Sequence, residues 1–155
     1  PRQYPSLLSH SMPMPIVLYL KYRREVHMLS FDRIFMRLLF VCVGNSCRSQ
    51  MAEGLARSMG HIADSAGTHP SSSSIASNAK KYLESRGISC EGMVPKSVDN
   101  FSAEDYDMVI SMGCGVHCPS IKIDEDWELE DPYGNEYEFY KTTAEEIERR
   151  LKLLE

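Results

Sequence analysis

The sequence lacks any long apolar run near its start. The longest there, residues 16–20, has five residues, too few for the core of a secretion signal and far too few to cross a bilayer. No membrane association is expected. Basic charge is also scarce. Seventeen Lys and Arg stand against 22 Asp and Glu, a net charge of -5, which argues against a nucleic-acid-binding face. Cysteine is too sparse and too odd in number, five in 155 residues, for a disulfide scaffold. Without a secretion signal the compartment reads as reducing, hence cytoplasmic, with the thiols present for chemistry. There is one tryptophan and no internal repeat. What remains is ordinary: 43% apolar and 25% charged residues fill one core and exclude wholesale disorder and fibrous repeats.

The charge is uneven. Residues 1–35 carry five basic and two acidic residues, so residues 36–155 hold the other 12 basic and 20 acidic ones. The first 35 residues show no sustained period and contain four prolines. They read as an N-terminal extension, disordered or a mis-started segment. Patterned sequence begins at Met36. Residues 36–42 form a nearly continuous apolar run, expected of a central parallel strand covered on both faces. Helical spacing follows over Met51, Leu55 and Met59, closed by Gly60. Further strands are expected over 61–66, 107–112 and 121–127. Further helices are expected around Tyr82, stopped by Gly87, and over 138–154, with a short helical turn begun by a capping box at Ser102. Strands alternating with helices predict a single α/β domain, residues 36–155, with a central four-stranded parallel sheet flanked by helices.

The informative stretch is Cys42-Val-Gly-Asn-Ser-Cys-Arg48-Ser49, between a buried strand and a helix start, where open α/β sheets bind ligands. A loop bent there aims backbone N–H groups at one point, and the helix dipole adds positive potential. Gly44 permits the bend and Asn45 tolerates a left-handed conformation. Arg48 supplies a planar fork of donors for a tetrahedral oxyanion. A cysteine at the lip of such a cradle has its thiolate stabilised. Taken alone, Cys42 would be a small buried residue at a strand end. Five intervening residues, an arginine and a strand–loop–helix context make it a candidate nucleophile, with Gly44, Asn45, Ser46, Cys47 and Arg48 as candidate oxyanion binders.

Residues 39–56, together with Asp64-Ser-Ala-Gly-Thr68 and Trp127-Glu-Leu-Glu-Asp-Pro132, resemble the low-molecular-weight tyrosine phosphatase superfamily. Within it they look most like the arsenate reductases that use this fold with a thioredoxin-type reductant. The resemblance covers about residues 36–155. It implies the fold of that family, with the phosphate-binding loop after the first strand. It also implies Cys42 as nucleophile, Arg48 as oxyanion clamp, Ser49 as a hydroxyl stabilising the thiolate, and Asp131 as general acid. Ser46 and Gln50 follow the reductase pattern, where phosphatases have a bulky apolar residue and a proline. Tyr133 follows the phosphatase pattern.

The feature that separates the branches is Cys114-Gly-Val-His-Cys118. A phosphatase ends its cycle with water, whereas a reductase needs resolving sulfurs. The resemblance implies a disulfide relay from Cys42 to Cys114 to Cys118, with arsenate as substrate. Its external reductant would be thioredoxin or a low-molecular-weight thiol. The rival readings of Cys114 and Cys118 are incidental burial and a zinc site completed by His117, which lacks the usual four ligands. Cys47 and Cys90 are expected to pack, Trp127 to pack against a mobile loop, and residues 124–126 to be a solvated surface. Some reductases of this group hold potassium. Asn45, Glu53 and Ser65 match that site, but Lys96 falls near its remaining carboxylate, so no metal is expected, and no cofactor. A monomer is expected. The alternatives are a protein tyrosine phosphatase acting through a phosphocysteine, and a non-catalytic anion-binding or redox-sensing protein.

Overall fold

A computed structural model of the chain describes residues 35–113 and 120–154. All of the expected N-terminal extension but Phe35 lies outside the described residues, as do Cys114, His117 and Cys118. In chain order the elements are β1 (Arg37–Cys42), α1 (Arg48–Ser58), β2 (Ile62–Gly67), α2 (Ser77–Ser85), β3 (Met108–Ser111), β4 (Glu125–Asp126) and α3 (Tyr137–Lys152). Short 3₁₀ turns at Val98–Asn100 and Ala103–Asp105 lead into β3.

The four strands form one sheet in the order β2-β1-β3-β4, and every pairing is parallel. β1 is central: Phe40 pairs with Ser65 on one side and Ile110 on the other. Alternation along β1 then divides the core. Leu38, Phe40 and Cys42 join the cluster that includes Met51 and Leu55 of α1, Leu83 of α2, and Ile147 and Leu151 of α3. Leu39 and Val41 join Val98, Val109 and Ile121 on the opposite face, with Phe101 and Tyr106 packed against them. All three helices thus cover one face, and turns and loops close the other. The helices dock through apolar stripes. Fully burying a side chain such as Ile147 or Leu151, both 0% exposed, contributes roughly 1.5–3 kcal/mol relative to leaving it in water.

The architecture agrees with expectation, and two details differ. The fourth strand, expected over 121–127, is only Glu125–Asp126. Before it, the Asp124 carboxylate accepts the Val109 N–H at 2.8 Å, so a side chain takes the place of a ladder carbonyl. Ser102 makes no capping bond; Ser97 does, accepting from Asp99 N. Trp127 lies in the main core, 1% exposed, with its ring 5.8 Å from Phe40 and the Arg150 guanidinium 5.9 Å above it.

Candidate active site

The end of β1 and the start of α1 frame a cradle built from residues 42–49. Every residue from Arg48 to Ala56 on α1 is buried, and the first turn carries no acidic side chain and no side-chain cap. The N–H groups and positive dipole of that helix end are therefore not neutralised locally. Asn45, with φ of 50°, is the left-handed residue of the bend. Gly44 is not left-handed, and a Cβ there would meet nothing closer than Ser46 Oγ at 3.5 Å. The glycine on which the loop depends is Gly67 of β2, where a Cβ would fall 2.6 Å from the Val43 carbonyl. Beyond it, Thr68 N and His69 N donate to the carbonyls of Cys42 and Val43.

Cys42 is 3% exposed. Its sulfur takes the Asn45 N–H at 3.1 Å and lies 2.9 Å from Ser49 Oγ. Asn45 Nδ2 donates to Ser49 Oγ at 2.8 Å and to Ser65 Oγ at 2.9 Å. Ser65 in turn donates to the buried Glu53 carboxylate. Donors converging on one sulfur stabilise negative charge there.

Arg48, 3% exposed, ties distant segments to the cradle. Its Nη1 donates to the carbonyls of Gly113 at 2.6 Å and Leu129 at 2.8 Å. Its Nη2 pairs with Asp131 Oδ2 at 3.0 Å. Nε is buried and has no partner among the described residues. Such an unsatisfied donor is costly, and an oxyanion in the cradle would satisfy it. Asp131 Oδ1 accepts from Cys47 Sγ at 3.4 Å and from Tyr133 N at 3.1 Å. Burial, with Asp131 as the next cause, pushes the Cys47 thiol up to about 12. At neutral pH Cys47 is protonated and does not compete as a nucleophile. Cys47 thus does more than pack: it holds the carboxylate.

Glu53 pairs with Arg57 at 2.7 Å and with Lys96 Nζ at 3.5 Å. Lys96 N also donates to Asn45 Oδ1 at 2.8 Å. An ammonium already faces this carboxylate, so the donor set does not suit an added alkali cation. Among the described residues no cluster of His, Cys, Asp or Glu suits a metal. Beside the cradle, Ser46, Ser74, Asn78, Tyr133, Asn135 and Tyr140 line a cleft of about 440 Å³.

The structure therefore brings together Cys42, Asn45, Ser46, Cys47, Arg48, Ser49 and Asp131. Cys114 lies outside the described residues, but its chain neighbour Gly113 is bonded to Arg48. Gly113 has φ of +83°, and a Cβ there would lie 2.3 Å from Glu128 Cα. The described hydrogen bond of the His69 ring is to the neighbouring Thr68 hydroxyl at 3.2 Å. Cys90 is half-buried and packs at the edge of the core. The acidic side chains of 124–126 are exposed, although Asp124 and Asp126 each accept a backbone N–H. Sequence reasoning missed the carbonyls that hold Arg48, which leave no mark in side-chain identity. It also missed the contacts of Gln50, which had a signal: an amide among the apolar positions of α1.

A family model described as low molecular weight phosphotyrosine protein phosphatase matches residues 37–155. A glutaredoxin arsenate reductase from Synechocystis sp. is 40% identical over 126 residues, 76% of this chain and 95% of that protein. A solved structure of an arsenate reductase in the phosphate binding state has a TM-score of 0.69 at 40% identity, covering 76% of this chain and 95% of the other. A low molecular weight protein tyrosine phosphatase from T. tengcongensis has a TM-score of 0.60 at 32% identity, covering 77% and 97%.

Proposed function

The chain belongs to the low molecular weight phosphotyrosine protein phosphatase family, and from that premise we propose that it reduces arsenate to arsenite with thiols as the electron source. The observation that carries this reading is at Arg48. Its Nη1 lies 2.6 Å from the carbonyl of Gly113, after which the chain runs directly into the segment holding Cys114 and Cys118. The residue that precedes a thiol-rich segment is thereby bonded to the cradle's arginine.

In the proposed cycle the Cys42 thiolate attacks arsenic, forming an S–As bond. The departing hydroxide takes a proton from Asp131 and leaves as water. The Cys114 thiolate then attacks Cys42 sulfur. As that S–S bond forms, the S–As pair stays on arsenic, which leaves as arsenite. Cys118 next attacks Cys114, freeing Cys42, and an external dithiol reduces the Cys114–Cys118 disulfide. Thioredoxin and a glutaredoxin system with a low-molecular-weight thiol are the candidate reductants; the name of the Synechocystis relative favours the latter. Steady-state turnover of arsenate with each coupled system, run beside hydrolysis of p-nitrophenyl phosphate, tests the reading. Aryl phosphate hydrolysis without arsenate turnover would establish the phosphatase reading instead, which the likeness to the T. tengcongensis enzyme supports.

Asp131 has two tasks in this scheme. It donates a proton, and before substrate arrives it occupies Arg48 Nη2. Asp131→Asn should lower turnover roughly 10²- to 10³-fold. It should also tighten inhibition by phosphate several-fold, because the arginine no longer has an internal carboxylate as competitor. Measuring kcat and the phosphate inhibition constant on the same preparation checks both signs.

Lys96 takes the place of a cation in this reading. Lys96→Met leaves the buried Glu53 with Arg57 and the Ser65 hydroxyl and should destabilise the fold by roughly 1–3 kcal/mol. Potassium chloride should then raise the melting temperature of the variant more than sodium chloride does, with no such difference in the wild type.

A further inference from the structure

We propose that Gln50 is a positioning residue that sets the direction of the hydrogen-bond chain ending on Cys42. The inference rests on Cys42 being the nucleophile and on no particular oxyanion. The Asn45 amide nitrogen has two hydrogens, and both are used, one on Ser49 Oγ and one on Ser65 Oγ. Since Ser49 Oγ accepts from Asn45, its own single proton is free to point at Cys42 Sγ, 2.9 Å away. Ser65, accepting likewise, turns its proton to Glu53, whose carboxylate can only accept. If the Asn45 amide were reversed, its oxygen would draw both hydroxyl protons. Ser49 would then face the sulfur with a lone pair and oppose a thiolate.

Two donors keep the Asn45 oxygen on the other side. One is the backbone N–H of Lys96 at 2.8 Å, which nearly any residue at that position would supply. The other is the Gln50 side chain, whose Nε2 lies 3.3 Å from Asn45 Oδ1 and 3.1 Å from the Asn45 main-chain oxygen. The same amide thus grips the backbone of the left-handed residue, whose N–H also reaches the sulfur. Packing does not account for it. Gln50 is 0% exposed, and its Oε1 is buried with no hydrogen-bond partner among the described residues. An apolar side chain of equal length would fill the space without leaving a buried acceptor unpaired.

The test is the pH dependence of Cys42 alkylation by iodoacetamide in the full chain, followed by mass spectrometry of the Cys42 peptide, with inorganic phosphate as protecting anion. Gln50→Met keeps the length and removes the donor. Alkylation near about pH 6.5 should slow roughly threefold to tenfold, with the profile displaced upward by about half to one pH unit. Protection by phosphate should stay within about twofold of wild type, because Arg48 and the loop N–H groups remain. Ser49→Ala should slow alkylation in the same way, and adding Gln50→Met to it should change nothing further. Gln50→Leu, also unable to donate, should match Gln50→Met.

An unchanged profile in both Gln50 variants would overturn the inference. So would additive effects of the Ser49 and Gln50 substitutions, or loss of phosphate protection in parallel with reactivity, which would mark Gln50 as a loop support only. If wild-type Cys42 reacts no faster than Cys90, the nucleophile reading itself fails, and the two failures are told apart.

Discussion

Cys42→Ser should abolish arsenate turnover and aryl phosphate hydrolysis alike, by at least about 10⁴-fold. A serine hydroxyl in the same place remains protonated near neutral pH and cannot form the S–As or S–P bond. The surrounding donors are untouched: Asn45 N, Ser49 Oγ and the Arg48 guanidinium belong to other residues. Phosphate should therefore still bind, and titration calorimetry beside the two activity assays would show binding without turnover. A variant that kept a substantial fraction of wild-type turnover would remove the cradle from the chemistry altogether. Cys47 offers no substitute nucleophile, since burial and Asp131 hold its thiol up to about 12.

The second large effect separates the two branches of the family. Cys114→Ser should stop arsenite release by the disulfide route, while leaving p-nitrophenyl phosphate hydrolysis, which needs only water at its second step. Cys118→Ser should allow about one turnover and then stall as a Cys42–Cys114 disulfide. Mass spectrometry after arsenate treatment reads this directly, because each disulfide lowers the mass by that of two hydrogen atoms relative to the dithiol. If the wild type forms no Cys114–Cys118 disulfide and both variants keep full activity, water rather than thiol closes the cycle and the protein acts as a phosphatase.

What could be read in the sequence was local. An unbroken apolar run, a turn and a helix start over residues 36–56 dictate strand, bend and helix through short-range rules. The cradle with Cys42 and Arg48 follows from that order, and the role of Ser49 comes from the resemblance. Asp131 was reached only by resemblance; no rule of spacing links it to Arg48, 83 positions earlier in the chain. Arg48 itself was legible as an anion clamp, yet three of its bonds go to main-chain carbonyls, of Met112, Gly113 and Leu129. At Met112 and Leu129 nearly any side chain would present the same oxygen, and at Gly113 it is the left-handed φ of +83°, not the carbonyl, that marks the residue. β4 was overestimated because Ile121, Ile123 and Trp127 alternate like a strand. Ile121 joins the core cluster on the face away from the helices, and Trp127 joins the one on the helix face, with only two residues between them in ladder geometry. Asn45 takes the left-handed conformation its residue type tolerates, and Gly44, read as permitting the bend, is not left-handed.

The order of the sheet has a consequence for how the catalytic groups move. β1 is paired along its length with β2 and over four residues with β3, so its amides are released to solvent only when the whole domain opens. The nucleophile at its end is therefore anchored in the slowest-exchanging part of the molecule. β4 is two residues at the sheet edge, yet Trp127, 1% exposed, and Leu129, whose N–H donates to the Met112 carbonyl, anchor the chain after it. Only beyond them does it reach Asp131, whose side chain is 52% exposed. The proton donor thus faces solvent while the nucleophile is buried. The acid can leave Arg48, take a proton from solvent and return many times over while Cys42 stays fixed, so recharging the acid never requires dismantling the thiolate.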